Sequence, residues 1–299
     1  MKRLSKSMVA CFMAAIMMMT VGCQKKDIAP IIPDSHILPD GALPGLFSVS
    51  ETQQVYFSRG NLQYQASTNT WRFAEHQYDY VGTQTADGNG YYGGNVSGSD
   101  NRSISSTYSG WIDLFGWGTG SNPTLSSQIY WDYGTFVDWG SNPISNGGNT
   151  ANRWRTLTQA EWEYLLNERP NASSKFAIGN INGVGGLILL PDSWTLPSEC
   201  SFTSGYATYD GNIDIDWTHN SYTLAQWAQM ETAGAVFLPA AGDRYGTNVY
   251  DVGLGVYYWS STPVNKLSAY IMDLVSSGLS ATNCNSRTVG YSVRPVQDN

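Results

Sequence analysis

The chain has 299 residues, only 13% of them charged, with 31 Gly, 19 Tyr and 11 Trp and a formal net charge of −8. A hydrophobic content of 41% at that length supports one large core, and the simplest organisation is a single loop-rich β or α+β domain. The acidic balance, with no Lys/Arg cluster to neutralise phosphates, argues against a nucleic-acid partner and leaves external protein or carbohydrate ligands.

In chain order, Lys2, Arg3 and Lys6 precede an apolar run from Met8 to Val21 that ends in Thr20-Val21-Gly22-Cys23. The run is too short and wrongly flanked for a membrane span and reads as a signal peptide over residues 1–22. Val21-Gly22-Cys23 resembles a bacterial lipobox, which implies cleavage before Cys23 and lipidation of its thiol, so that acyl chains are the only membrane contact. Residues 23–45, with Pro30, Pro33, Pro39 and Pro44, read as a semi-rigid tether. The folded domain is expected over 46–299.

Phe47 and Val49, then Val55 and Phe57, alternate with polar residues around Ser50-Glu51-Thr52-Gln53, a hairpin pattern. Short strands are expected at Asn61–Tyr64 and Trp71–Ala74. Residues 82–152 are rich in Gly, Ser, Asn and Thr, and so long a coil needs pinning, for which Tyr91, Tyr92, Trp111, Phe115, Trp117, Trp131 and Trp139 are the candidates. The block Trp111–Gly118 should plug the core from a coil. Thr158 and Glu161 form a capping box ahead of Trp162, Leu165 and Leu166 on one face, which predicts an inward-packed helix of about three turns. Glu161 is thereby a cap rather than a catalytic acid. A hairpin follows, Phe176–Ile178 and Val184–Leu190 about a turn at 179–183, its second arm apolar enough to be buried on both faces. Thr223 and Gln226 repeat the capping logic, with Leu224, Trp227 and Ala228 on one face and Gly234 closing the helix. The remaining candidate strands are 235–240, 256–260, 269–274 and 291–296.

The residues that carry chemistry are sparse. His36, His76 and His219 are too scattered for a metal cluster or a Ser-His-Asp triad. Asp210, Asn212, Asp214 and Asp216 alternate as calcium ligands do, but Ile215 stands where an EF-hand needs Gly and Ser221 where it needs Glu, so an acidic strand face is preferred. No metal ligand set is assigned, and structural calcium elsewhere stays open. Of the cysteines, Cys11 leaves with the signal and Cys23 is the lipid site, which leaves Cys200 and Cys284, with a disulfide between them open.

In the last fifth, glycine and apolar blocks alternate with positions of unrelated chemistry. Leu238-Pro239-Ala240-Ala241-Gly242-x-Arg244, Tyr258-Trp259-Ser260-Ser261 and Gly290-x-Ser292-Val293-Arg294 resemble the C-terminal variable region of retroelement-diversified lipoproteins of Bacteroidetes. Phe57-Ser58-x-Gly60-Asn61-Leu62-Gln63-Tyr64 and Trp71-Arg72-Phe73-Ala74-Glu75 are similar to blocks of the same family. Trp154-Arg155-Thr156-Leu157-Thr158-x-x-Glu161-Trp162-Glu163 resembles the helix motif of the related formylglycine-generating, sulfatase-modifying enzymes. Gln24-Lys25-Lys26-Asp27 is similar to an export tag of surface lipoproteins. The resemblance implies a C-type lectin-like α+β domain with two flanking helices and long loops, displayed on the outer membrane, with a diversified region over 240–296 that binds an external ligand. Enzymatic activity is not carried over, because the enzymes need a reactive cysteine pair and only Cys284 lies in this block. A fixed glycan-binding lectin or adhesin is the alternative, and a divergent enzyme of the formylglycine-generating type a weaker one.

The expected ligand-binding residues are Asp243, Tyr245, Tyr250, Asp251, Leu254, Val264, Asn265, Lys266, Leu267, Ile271, Asp273, Cys284, Ser286, Thr288, Val289 and Tyr291. Tyr supplies contact area at low entropy cost and Asn, Ser and Asp adaptable hydrogen bonds. Taken singly, Ile271 and Val289 are as well suited to a core strand. Tyr258, Trp259, Met272, Leu274, Val293 and Arg294 are assigned to scaffold. No catalytic residue and no cofactor is expected.

Overall fold

Apolar residues on either side of Ser50-Glu51-Thr52-Gln53 fold as the expected hairpin: β1 (Ala42–Ser48) and β2 (Gln54–Ser58) run antiparallel, with Phe47 opposite Val55. The computed structural model describes residues 37–83, 93–129, 132–205 and 215–299. The signal peptide, Cys23 and the first part of the tether lie outside them. Leu38–Asn299 packs as one unit, so residues 38–45, expected in the tether, belong to the body. Pro44 is tolerated there because the β1–β2 register slips between Ala42 and Leu46, where the ladder does not need its missing N–H. Gly45 is required by close approach, since a Cβ there would lie 2.6 Å from the Gly234 carbonyl oxygen.

Strands β3 (Leu62–Gln65) and β4 (Thr70–Phe73) form where short strands are expected, and they pair antiparallel with each other. From residue 93 to Leu157 the described chain forms only single 3-10 turns and isolated bridges. Phe115, Trp117, Trp139 and Trp154 pin this coil in an aromatic cluster with Trp71, Phe73 and Trp259. Trp111 stays half-buried under the Arg72 guanidinium at 3.7 Å, and Tyr91, Tyr92 and Trp131 lie outside the described residues.

Helix α1 (Gln159–Glu163) has the capping box read from the sequence, and it continues through a π turn at Tyr164–Glu168, so that Trp162, Leu165 and Leu166 face inward. Glu161 accepts from the Thr158 backbone at 2.7 Å and from Arg155 at 2.9 and 2.7 Å, as a cap held by a cation should. Strands β5 (Phe176–Ile181) and β6 (Val184–Leu189) meet at Asn182-Gly183, with φ +49° and +90°. The turn is thus two residues, shorter than expected, because Asn-Gly enters the left-handed region that matches strand twist.

After β7 (Ser221–Tyr222) comes α2 (Leu224–Thr232), again capped by Thr223 and Gln226. Its buried residues are Trp227 and Met230, whereas Leu224 and Ala228, expected to face inward, are exposed. The bulk of Trp227 at i and Met230 at i+3 decides which stripe meets the sheet. Strand β8 (Val236–Pro239) completes a sheet in the order β7-β5-β6-β8.

The C-terminal part holds β9 (Asp243–Tyr245) paired with β10 (Asn248–Tyr250), then a meander of β11 (Val256–Pro263), β12 (Ser268–Val275) and β13 (Gly278–Ser286). A strand over 291–296 does not form; Tyr291 and Ser292 make single bridges to Phe115 and Tyr258, and β14 (Val296–Asp298) pairs with the far side of β2. The result is a mixed α+β fold, mostly short sheets, with two short helices among the described residues. Leu187, Leu189, Val236 and Leu238 face an aliphatic core with Phe57 and Trp162, while Ile188, Leu190 and Phe237 pack under α2 with Trp227, so the apolar β6 run is buried on both faces as read. The meander is the wall between two cores. Tyr258, Met272 and Leu274 enter the aliphatic one, and Trp259, Ile271 and Tyr291 the aromatic one.

Candidate functional site

Alternation along the meander sends Tyr257, Trp259, Ile271, Asp273 and Asn283 to one face and Tyr258, Met272 and Cys284 to the other. On the first face the deep positions close the aromatic core, and the outer ones form a basin. Tyr257 stacks on Tyr291 with centroids 5.1 Å apart and planes 25° apart, and Trp259 meets Tyr291 edge-on at 4.9 Å. The Tyr257 hydroxyl donates to Asp251 Oδ2 at 3.1 Å, Asn283 Nδ2 donates to both Asp273 oxygens at 3.1 Å, and Asn285 Nδ2 donates to the Tyr291 hydroxyl at 2.6 Å.

Gly242 brings Asp243 into this group. Its φ is +73°, and a Cβ would lie 2.1 Å from the Tyr250 carbonyl oxygen, so only glycine allows the crossing. Asp243 then sits half-buried, its carboxyl pushed up to about 7 by burial and next by Asp251, with Arg244 opposing. Burial also raises Asp273, offset in part by the Asn283 hydrogen bond. The Tyr257 hydroxyl is held up by burial and by the negative field of Asp251 and Asp243, and Tyr291 by burial and Asp243. Among the described residues none of Asp243, Asp251 and Asp273 forms an ion pair. Arg244 acts on Asp243 through its field and not through an ion pair: fully buried, its guanidinium donates to the Leu114 carbonyl at 3.2 and 3.0 Å, to Ser126 Oγ at 2.5 Å and to the Gly246 carbonyl at 2.7 Å. Burial pushes it down to about 10.

A second exposed feature is the β11–β12 turn, roughly 20 Å along the strand from Tyr257 at about 3.3 Å per residue. Val264, Asn265, Lys266 and Leu267 are all exposed there. The turn is nonetheless braced: Asn265 Oδ1 accepts from the Leu267 and Ser268 backbone at 2.8 and 3.0 Å, and Arg287, lying over Trp117 at 4.2 Å, donates to the Asn265 carbonyl.

The expected binding residues therefore divide. Asp243, Tyr245, Tyr250, Asp251 and Leu254 are half-buried, Asp243 and Asp251 at the basin, and Val264 to Leu267 are exposed at the turn. Ile271 and Val289 are core residues of the aromatic cluster, Ile271 because it pairs opposite Trp259 on the same sheet face. Ser286 and Thr288 are buried and hydrogen-bond each other at 2.9 Å. Cys284 is exposed but opposite Tyr270, on the other face, and both it and Cys200 are free thiols. Asp273 and Tyr291, 6% and 2% exposed, form the floor rather than the rim. The assigned scaffold residues Tyr258, Trp259, Met272, Leu274, Val293 and Arg294 are all buried. Sequence reasoning missed Tyr257, Asn283 and Asn285; the period of two running from Asp273 and Ile271 was the signal that could have placed them.

Among the described residues no His, Cys, Asp and Glu gather in a group able to hold a metal ion, and no helix is long and apolar enough to cross a membrane. The alternating acidic stretch lies outside them up to Asp214, and Asp216 caps the turn Trp217–His219 by accepting from the Thr218 backbone at 2.9 Å. Compared with models of known families, with curated proteins and with solved structures, the chain matches none.

Proposed function

We propose that the chain is a surface-displayed receptor or adhesin: an outer-membrane lipoprotein, anchored through Cys23, that presents a C-type lectin-like domain and binds an external protein or glycan through its C-terminal face. The observation that supports this most is the basin itself. Three carboxylates, Asp243, Asp251 and Asp273, gather about stacked Tyr257 and Tyr291 with no ion pair among the described residues, and burying Asp243 and Asp273 there costs folding free energy that packing does not require. Aromatic area fixed by stacking, with amide and carboxylate groups around it, is the composition of a paratope. The proposed contacts are Asp243, Tyr245, Asp251, Tyr257, Asp273, Asn283 and Asn285, with Val264 to Leu267 as a separate apolar and basic arm.

In its fuller form the reading makes this a retroelement-diversified face. Sequencing the locus deeply across a growing population, with a search of the flanking DNA for a near-repeat of codons 240–296, tests that form. Substitutions confined to the basin and turn codons support it, and an invariant locus without a template sinks it and leaves a fixed binder. Binding itself is tested on arrays of glycans and proteins: a ligand captured by the wild-type chain should be lost with Tyr257→Ala, and its retention would refute the site.

A further inference from the structure

A cavity of about 150 Å³ opens beside the Asn182-Gly183 turn, walled by Tyr80, Trp217, Val184 and Val252, with Gly185 and Gly253 among its lining residues. Its main wall is fixed in place. The Trp217 Nε1 donates to the Gly253 carbonyl at 2.8 Å, and the indole lies so close on Gly185 that a Cβ there would be 2.5 Å from the ring. The backbone N–H of Tyr80 donates to Asn95 Oδ1 at 3.0 Å, while its hydroxyl makes no hydrogen bond among the described residues.

Three properties narrow what such a cavity takes. Its volume is well below the several hundred Å³ of pockets that hold large ligands, so it accommodates one ring. Among the described residues no Asp, Glu, Lys, Arg or His lines it, so these walls offer a charged ligand no partner. The carbonyl oxygens of Gly185 and Gly253 each accept one hydrogen bond, from Ala240 and from Trp217, and each keeps a second lone pair. Beside an indole and a phenol whose hydroxyl has no partner among the described residues, they suit a ring with C–H faces and hydroxyl edges better than a purely apolar one. We infer that this cavity is a subsite for a single uncharged pyranose ring, packed against the Trp217 indole with its hydroxyls toward Tyr80 and the glycine backbone. The inference does not rest on the proposed binding face, since none of that face's contacts lines the cavity.

The test is a titration of the 15N-labelled mature chain with methyl glycosides of neutral hexoses, reading the Trp217 indole N–H resonance, assigned by its loss in Trp217→Phe. A saturable shift with at least one neutral glycoside is expected. Val184→Trp, at a half-buried position, should fill the cavity and weaken binding at least about tenfold, and Tyr80→Phe, which keeps the packing, should weaken it several-fold. Tyr257→Ala should leave the titration unchanged, which separates this site from the basin. The inference is overturned by the absence of a shift with every neutral glycoside, by a shift that survives both cavity variants, or by tighter binding of glucuronate or of indole than of any neutral sugar.

Discussion

The two cores that share the C-terminal meander are held together by different means. In the aliphatic one, around Leu187, Leu189, Val236 and Phe57, backbone groups are satisfied by sheet ladders and the side chains have only to fill space. In the aromatic one the chain is mostly coil, and side chains take over the polar work. Trp117 Nε1 donates to the Ser260 carbonyl at 2.9 Å and Trp259 Nε1 to that of Phe115 at 2.6 Å. The Asn101 amide donates to Asp113 Oδ1 at 2.8 Å and accepts from the Asp113 backbone at 3.0 Å. A coil can therefore be as well ordered as a sheet when residues of indole and amide type close its hydrogen bonds.

Phe57→Ala should cost about 3–5 kcal/mol by opening a cavity that ladders hold rigid, measured by denaturant unfolding. Asn101→Ala, a small polar residue in a coil, should cost nearly as much, about 3 kcal/mol, because it leaves buried Asp113 Oδ1 and the Asp113 backbone N–H without a partner, with only Oδ2 still held by the Val81 N–H. A loss of only a few tenths would break the comparison. Trp117→Phe keeps an aromatic ring but leaves the Ser260 carbonyl alone, and about 2 kcal/mol is expected, with faster amide exchange confined to the coil side.

The smallest effect is electrostatic. Asp243 is held up at about 7 and Asp113 at about 6 against an ordinary 3.8, so between those values the folded chain keeps protons that the unfolded chain releases. Stability should accordingly fall as pH rises from about 4 to about 7. Asp243→Asn should match wild type near pH 4 and exceed it by about 1–2 kcal/mol at pH 8, read from melting curves at both. An unchanged slope would show that Asp243 is not strained by the basin.

Local features were legible in the sequence. Both capping boxes, the hairpin at 50–53 and the two-faced burial of β6 follow from residue type and spacing, which act over a few positions. The coil from 93 to 157 was legible only as aromatic pinning, because its bonds reach across the chain to Ser260, Tyr291 and Arg287. β13 was missed since Thr282-Asn283-Cys284-Asn285 has no apolar face, and its pairing with β12 does the work of pattern. The same omission hid Asn283 and Asn285 from the basin and let Cys284 stand in their place. Burial of Ser286 and Thr288 was equally hidden, since a hydroxyl pair that satisfies itself leaves no trace in composition.

The strand β2 lies between β1 and β14, which run parallel to each other on its two sides. Ala42 stands opposite Ser58 and Asp298 opposite Val55, so these two points are separated by roughly 10 Å across and roughly 10 Å along the sheet. A linker of about five residues would span that gap. The polypeptide is thus suited to circular permutation: joined there and reopened at the Asn182-Gly183 turn, it should keep every sheet pairing while moving its ends to the opposite side of the sequence.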